Sequence, residues 1–319
     1  MTDIGTDATI GEIDEDALIA LFAPRLPRSD AEILGPGDDA AVLSVDGDLV
    51  VSTDVLIENR HFRTEWSTGV DVGWRAVMQN LADIDAMGAV PIALQVTLAA
   101  PPSTPVRWVL DFADGLREAC EPHGVGVVGG DLSGASEIAI SVTAMGETHG
   151  TTSITRADAV DGQIVAVAGP LGGARAGLEQ LTRGERIDEE SIALFLRPSP
   201  RIGAGLEAAL HGATAMMDLS DGLVRDAGRI ARASEVGIDI ESALVPIHGG
   251  ARKVAVKLQL DPLLWALAGG EDHHMLAVFP RESAVPEGWT IVGATSDAFS
   301  GVRVNGAEPA VRGWDHFGG

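Results

Sequence analysis

Asp71–Leu98 reads DVGWRAVMQNLADIDAMGAVPIALQVTL, and its apolar period changes halfway along. In the first part Trp74, Val77, Met78 and Leu81 fall at i, i+3, i+4 and i+7, the spacing of an amphipathic helix. Gly88 and Pro91 close that helix. Asn80 and Asp83, three apart, share one of its edges. Ile92, Leu94, Val96 and Leu98 then alternate, as a half-buried strand does. A helix running into an alternating strand predicts an α/β chain.

The rest of the chain repeats the theme. Residues 10–22 read as a short helix, and Leu49-Val50-Val51 as a buried strand ending at Ser52-Thr53-Asp54. A second long helix covers about Thr104–His123. Val125–Val128 is a strand running into a Gly129-Gly130-Asp131 turn, and Ile138, Ile140, Val142 and Ala144 alternate once more. These strands close a four-stranded first domain over residues 1–148. Helices on one side of such a sheet leave its other face needing a cover, and a dimer partner is one. Residues 149–319 form a second α/β domain. Its strands are expected at Ile164–Ala168, Ile238–Ile240, Met275–Phe279 and Trp289–Ala294, with helices from about Gly173 to Arg183 and from Ser220 onward. The turn Gly169-Pro170-Leu171-Gly172-Gly173 misses the G-x-G-x-x-G spacing of a dinucleotide site, which leaves a tight turn into a packed helix.

A chain of 319 residues supports two domains, each with its own core. No apolar run reaches the length of a membrane span, and the acidic Met1–Asp16 lacks the basic-then-apolar order of a signal peptide. A cytoplasmic protein with no membrane contact is expected. The single cysteine, Cys120, falls on an apolar helix face and excludes an internal disulfide. A net charge of −25 argues against nucleic acid, whose binding rests on Lys and Arg at phosphates. Anionic small substrates would face the same repulsion unless metal ions reverse the local field.

Acidic residues recur at chosen places: Gly37-Asp38-Asp39, Ser52-Thr53-Asp54, Asn80 to Asp83, Gly129-Gly130-Asp131, and Met217-Asp218-Leu219-Ser220-Asp221-Gly222. Taken singly, each has a structural account, since Asp favours turns and helix starts. Taken together they suggest shared ligation of a hard cation, as Mg²⁺ is held in phosphate chemistry by a few carboxylates plus the substrate's own oxygens. There is no Walker loop and no protein-kinase signature. His61, in Asn59-Arg60-His61-Phe62, is either a hydrogen-bonded structural residue or a phosphate contact. Glu271, after Gly269-Gly270, is a turn residue or a recognition carboxylate, and Trp314-Asp315-His316-Phe317 either docks as core or stacks on a flat ligand.

The ordered set of these strings, from Gly37-Asp38-Asp39-Ala40-Ala41 to Gly313-Trp314-Asp315-His316-Phe317, resembles the thiamine-monophosphate kinase family. The resemblance implies the two-domain α/β (α+β) fold shared with aminoimidazole ribonucleotide synthetase. In that fold the four-stranded N-terminal sheets of two chains pair in a homodimer, and the C-terminal domain has a mixed sheet with helices that completes the nucleotide and substrate site. It implies ATP and thiamine monophosphate as ligands, and several Mg²⁺ ions held by Asp39, Ser52, Thr53, Asp54, Asp83, Asp131, Asp218 and Asp221. Turnover would depend on Asp54, Asp131 and Asp221. Gly130, Asp131, Arg156 and Ser220 would contact ATP; His61, Glu271 and Trp314 would contact thiamine monophosphate. The family commonly has Tyr then Glu after Gly-Glu-Asp, where this chain has His273-His274 and no Tyr anywhere.

Related families fit less well. Selenophosphate synthetase usually carries a reactive Cys or selenocysteine near its start, and the carbamoyl-dehydrating hydrogenase-maturation protein ends in Cys. This chain has neither. A binding protein that lost turnover would be expected to have lost metal ligands, and none of the motif Asp residues is missing.

Overall fold

The computed structural model describes residues 8–314, and the chain divides into two compact units. One comprises Met1–Ile84 and Val90–Gly150; the other comprises Asp85–Ala89 and Thr151–Gly319. Asp315, His316 and Phe317 of the C-terminal motif lie outside the described residues.

The first unit begins with α1 (Glu15–Phe22), and β1 (Glu32–Leu34) pairs antiparallel with β2 (Val42–Leu43). The expected single helix over 10–22 is interrupted, because the Asp14 carboxylate accepts from Ala17 N and starts α1 afresh. Then follow β3 (Leu49–Ile57), α2 (Gly69–Asp85), β4 (Val90–Ala100), α3 (Val106–Cys120), β5 (Gly126–Gly134) and β6 (Ala139–Glu147). The four longer strands form one sheet in the order β3-β6-β4-β5, with only β4 and β5 parallel.

Helices α2 and α3 are pressed together backbone to backbone. A Cβ at Gly69 would lie 2.3 Å from Trp108 O, at Gly73 2.3 Å from Phe112 O, and at Gly115 2.2 Å from Val70 O. Their buried side chains, among them Val77, Leu81, Leu110 and Leu116, close one side of the unit. On β3 the residues of the other parity, Leu49, Val51 and Val55, are exposed. The hairpin of β1 and β2 covers part of the remainder, where Ala31, Ala41, Leu43 and Met145 pack around Ile92, Ala93 and Val128.

Two expectations shift here. Ser52-Thr53-Asp54 lies in the middle of β3 rather than at its end, because β6 pairs with it in unbroken register from Leu49 to Ile57. Gly129-Gly130-Asp131 likewise lies within β5 and not in a turn, since β4 carries the pairing on to Gly134. Asn80 also departs from its expected edge. It is fully buried, and its side-chain amide donates to Ala76 O one turn back.

The second unit holds β7 (Ile164–Val167), α4 (Gly173–Arg183), α5 (Glu189–Leu196), α6 (Ala204–Leu210), β8 (Ala215–Asp218), α7 (Leu223–Ala233) and β9 (Gly237–Ile240). After these come α8 (Gly249–Leu258), α9 (Pro262–Ala268), β10 (Met275–Phe279), β11 (Thr290–Ser296) and β12 (Gly301–Val304). The sheet order is β12-β9-β11-β7-β10-β8, antiparallel except for β12 beside β9. This is the mixed sheet expected. Its core joins Val165, Val167, Leu276, Val278 and Val292 to Leu223, Ala227 and Ile230 of α7.

Asp85 belongs to this unit. Its carboxylate accepts from Gly203 N at 3.0 Å and Leu206 N at 3.2 Å, at the start of α6. Burial raises its pKa to about 6, against the lowering effect of those amides and of Arg201. A carboxyl raised above its unfolded value makes the folded state bind the proton more tightly, so this group's contribution falls as pH rises from about 4 to about 6. Asp85→Ala should therefore lower the unfolding free energy by roughly 1–3 kcal/mol near pH 4.5, for the donors left unmet. The deficit relative to wild type should shrink by pH 7.5. Urea melts at the two pH values check this; an equal or growing deficit contradicts the assignment.

Candidate functional site

In the first unit, a cavity of about 420 Å³ lies between the turn Gly35–Ala41 and the β5 segment Gly129–Leu132. Val109, Phe112 and Leu116 of α3 give it an apolar wall. Gly37 turns the chain with φ 124°, a conformation that favours glycine. Asp38 stabilises the turn by accepting from Asp39 N, while Asp39 is exposed and lines the cavity with Asp131. Gly130 is required sterically, because a Cβ there would lie 1.8 Å from Val96 O. The β4–β5 register shifts beside it, between Leu94 and Gln95.

Asp54 is oriented from two sides. Its Oδ2 accepts from Gln79 Nε2 at 2.7 Å, and its Oδ1 from Val55 N at 2.9 Å. Ser52 Oγ donates to Asp83 Oδ2 at 2.9 Å, so β3 and α2 exchange two such contacts. Thr53 Oγ1 donates to Val142 O. His61 Nδ1 accepts from Ile57 N at 3.0 Å, which leaves the neutral ring's proton on Nε2.

Asp54 and Asp131 are not brought together within one chain. Asp54 shares a sheet face with Val142 and Val96, whereas Asp131 shares the opposite face with Thr97, Ser141 and Val55. Three strand spacings separate β3 from β5, about 14 Å. Among the described residues no group of three or more His, Cys, Asp or Glu converges in a way that would hold a metal ion. The available donors are carboxylate and hydroxyl oxygens, which suit Mg²⁺. That ion commonly takes one or two carboxylates and fills its shell with waters and substrate phosphates.

In the second unit the polar groups cluster where β8 ends. Leu219 N donates to His274 O, His273 N to Leu219 O, and Glu271 N to Ser220 O, so residues 219–220 pair with 271–274. Glu271 and His273 have φ of 65° and 53°, strained values for non-glycine residues of the kind that gather at functional sites. Buried Asp218 faces His273, with Nδ1 3.2 Å from Oδ2. The first histidine that departs from the family pattern thus lies against an expected metal ligand.

Asp221 is held by Arg229 and lies 3.6 Å from Arg225. Its backbone N–H donates to Asp226 Oδ2, and its carbonyl accepts from Trp314 N at 2.9 Å. Ser220 precedes α7 rather than starting it, since the helix begins at Leu223 with Gly222 as its N-cap and no side chain capping it. Burial, reinforced by the charge on Asp218, raises the Asp226 pKa to about 7 despite Arg229. Ser220, Asp221, Glu271 and Trp314 are therefore drawn together, with the Trp314 side chain exposed. Arg156 is not among them. Its carbonyl accepts from Ser234 Oγ just beyond the far end of α7, about 16 Å from the Ser220 end. Asp272 is structural, accepting from Gly172 N and Ala174 N at the start of α4.

A family model described as AIR synthase related protein, N-terminal domain, matches residues 37–148. The thiamine-monophosphate kinase of Mycobacterium tuberculosis is 41% identical over 313 residues, spanning 97% of this chain and 93% of that protein. The chain belongs to the thiamine-monophosphate kinase family. A solved family structure, AaThiL complexed with AMPPCP and TMP, is 35% identical with a TM-score of 0.81, covering 96% of this chain and 98% of that one. The hydrogenase maturation protein HypE of E. coli, at 21% identity and a TM-score of 0.74, shares the fold alone.

Gln79, Asp226 and Arg229 were missed in the sequence. Asp226 had a signal, because it is a charge at a position buried among Leu223, Ala227 and Ile230. Gln79 had little, since its role depends on a strand 25 residues away. Gly130→Ala tests the close approach to β4. It should lower stability by about 1–3 kcal/mol through the strain of overpacking, read as a lower midpoint in thermal or urea unfolding. An unchanged midpoint contradicts the packing described.

Proposed function

We propose that this chain transfers the γ-phosphoryl group of ATP to thiamine monophosphate, yielding thiamine diphosphate and ADP. The observation that carries the reading is the end-to-end match to a family with a member complexed with AMPPCP and TMP. It is supported by oxygen donors throughout the acidic positions. The acceptor is a phosphate monoester whose second pKa is about 6, so it is largely a dianion at neutral pH and needs no strong base. The obstacle is its repulsion by the ATP polyphosphate. Bound Mg²⁺ would neutralise charge on both.

The roles we assign follow the two units. In the first, Asp39, Asp54, Asp83 and Asp131, with Ser52 and Thr53, would hold several Mg²⁺ ions. Gln79 fixes the Asp54 carboxylate, and Gly130 brings backbone to the nucleotide phosphates. In the second, Asp218 and Asp221 would hold further Mg²⁺, Ser220 and Arg156 would bind ATP, and Glu271 and Trp314 would bind thiamine monophosphate. His61 of the first unit, with its proton on Nε2, can donate to the acceptor phosphate. Transfer is direct and in line, without a phosphoenzyme. The exposed β3 residues Leu49, Val51 and Val55 support a homodimer through the first unit's sheet. No helix among the described residues is long and apolar enough to cross a membrane; we assign the protein to the cytoplasm, where ATP is available.

The deciding assay supplies ATP, Mg²⁺ and either thiamine monophosphate or thiamine. Equal amounts of ADP and thiamine diphosphate from the monophosphate alone are expected; ADP without thiamine diphosphate overturns the reading. Asp54→Asn and Asp131→Asn should abolish turnover in folded protein, and near-normal rates would remove them from the machinery. Gln79→Ala should raise the Mg²⁺ concentration for half-maximal activity by about tenfold or more, as loss of a group orienting a metal ligand does. An unchanged Mg²⁺ requirement would make Gln79 merely structural.

A further inference from the structure

Helix α7 presents Arg225, Arg229 and Arg232 at i, i+4 and i+7, on the face opposite its buried Leu223, Ala227 and Ile230. Like charges one turn apart repel, so such a row calls for a balancing charge. Asp221 and Asp226 balance Arg229, and Asp221 is also near Arg225. Arg232 and Arg312 are exposed, and among the described residues neither has a carboxylate partner. In a chain with 47 acidic and 22 basic residues, four arginines lining one groove concentrate positive charge locally.

These four arginines line one groove of about 500 Å³, with Glu308 as its only acidic lining residue among those described. Gly228 keeps the floor open: a Cβ there would meet only Val302 Cγ2, at 3.7 Å. Val224, Val302 and Pro309 add an apolar surface to the same groove. Guanidinium groups are flat, permanently charged and matched to phosphate oxygens two at a time. A cationic rim beside an apolar floor suits a ligand with both characters.

We propose that this groove is a second anion site, binding a small phosphorylated organic molecule with its phosphate among the four arginines and its apolar body on Val302 and Pro309. The site adjoins Asp221 through Arg225 and Arg229, but its remaining two arginines, Arg232 and Arg312, have no part in the kinase reading. A failed groove leaves that reading standing, and a failed kinase assay leaves the groove.

Titration calorimetry with the full chain in EDTA at low salt, where no metal can carry phosphate to the carboxylates, tests this with inorganic phosphate and phenyl phosphate. Wild type should bind both, phenyl phosphate more tightly. The Arg232→Ala/Arg312→Ala double variant should bind each at least tenfold more weakly, while its turnover of ATP and thiamine monophosphate is unchanged. Arg232→Lys/Arg312→Lys, which keeps the charge, should retain part of the affinity and guards against misfolding of the alanine pair. Gly228→Leu, which fills the floor, should weaken phenyl phosphate more than phosphate. No binding to wild type at millimolar ligand, or equal binding to wild type and the alanine variant, overturns the site.

Discussion

With 47 acidic side chains against 22 basic ones, each carboxylate added near a phosphate-binding region raises the cost of the others. The structure offsets this by giving key acids individual donors. Asp54 has Gln79, Asp83 has Ser52, Asp218 has His273, and Asp221 has Arg229. A neutral donor such as Gln79 orients a carboxylate without cancelling its charge, so the group stays available to a cation. Arg229 does cancel charge. The two units therefore hold their acids on different terms, the first through neutral hydrogen bonds and the second through cationic or ionisable partners.

Sheet order then limits what those acids can do jointly. Pairing of β3 with β6 over nine residues fixes Asp54 toward α2, and the run of β5 along β4 places Asp131 on the opposite face. One ion cannot take both from the same chain. Under the proposed function, separate ions with few protein ligands each would fit that spacing, and much of each coordination shell would fall to substrate oxygens. The backbone contact at Gly130 belongs to the same geometry, since any side chain there would push β5 away from β4.

Much of the fold was legible where periodicity was long and uninterrupted. The α2–β4 transition, the end of α4 at Arg183 and β10 at Met275–Phe279 all follow from apolar spacing. The β1–β2 hairpin and β12 did not, because two to four residues hold too few turns of any pattern to register. Glycines misled in β5, where Gly129-Gly130 reads as a turn locally but is admitted into a strand by the neighbour it must pass. The candidate acids were legible as an ordered set. Their partners were not, because Gln79 and Arg229 acquire meaning only from what faces them in space.

The exposed indole of Trp314 has an optical consequence. The chain contains no tyrosine and six tryptophans, and Trp314 is the one whose side chain is open to solvent among the described residues. Trp265 and Trp289 are buried, and the remaining three are partly covered. Emission from this protein therefore comes from indoles alone, and its longest-wavelength share originates beside Asp221. A ligand that covers that ring would shift the spectrum to the blue, so the molecule carries its own reporter at the place where a flat substrate would rest.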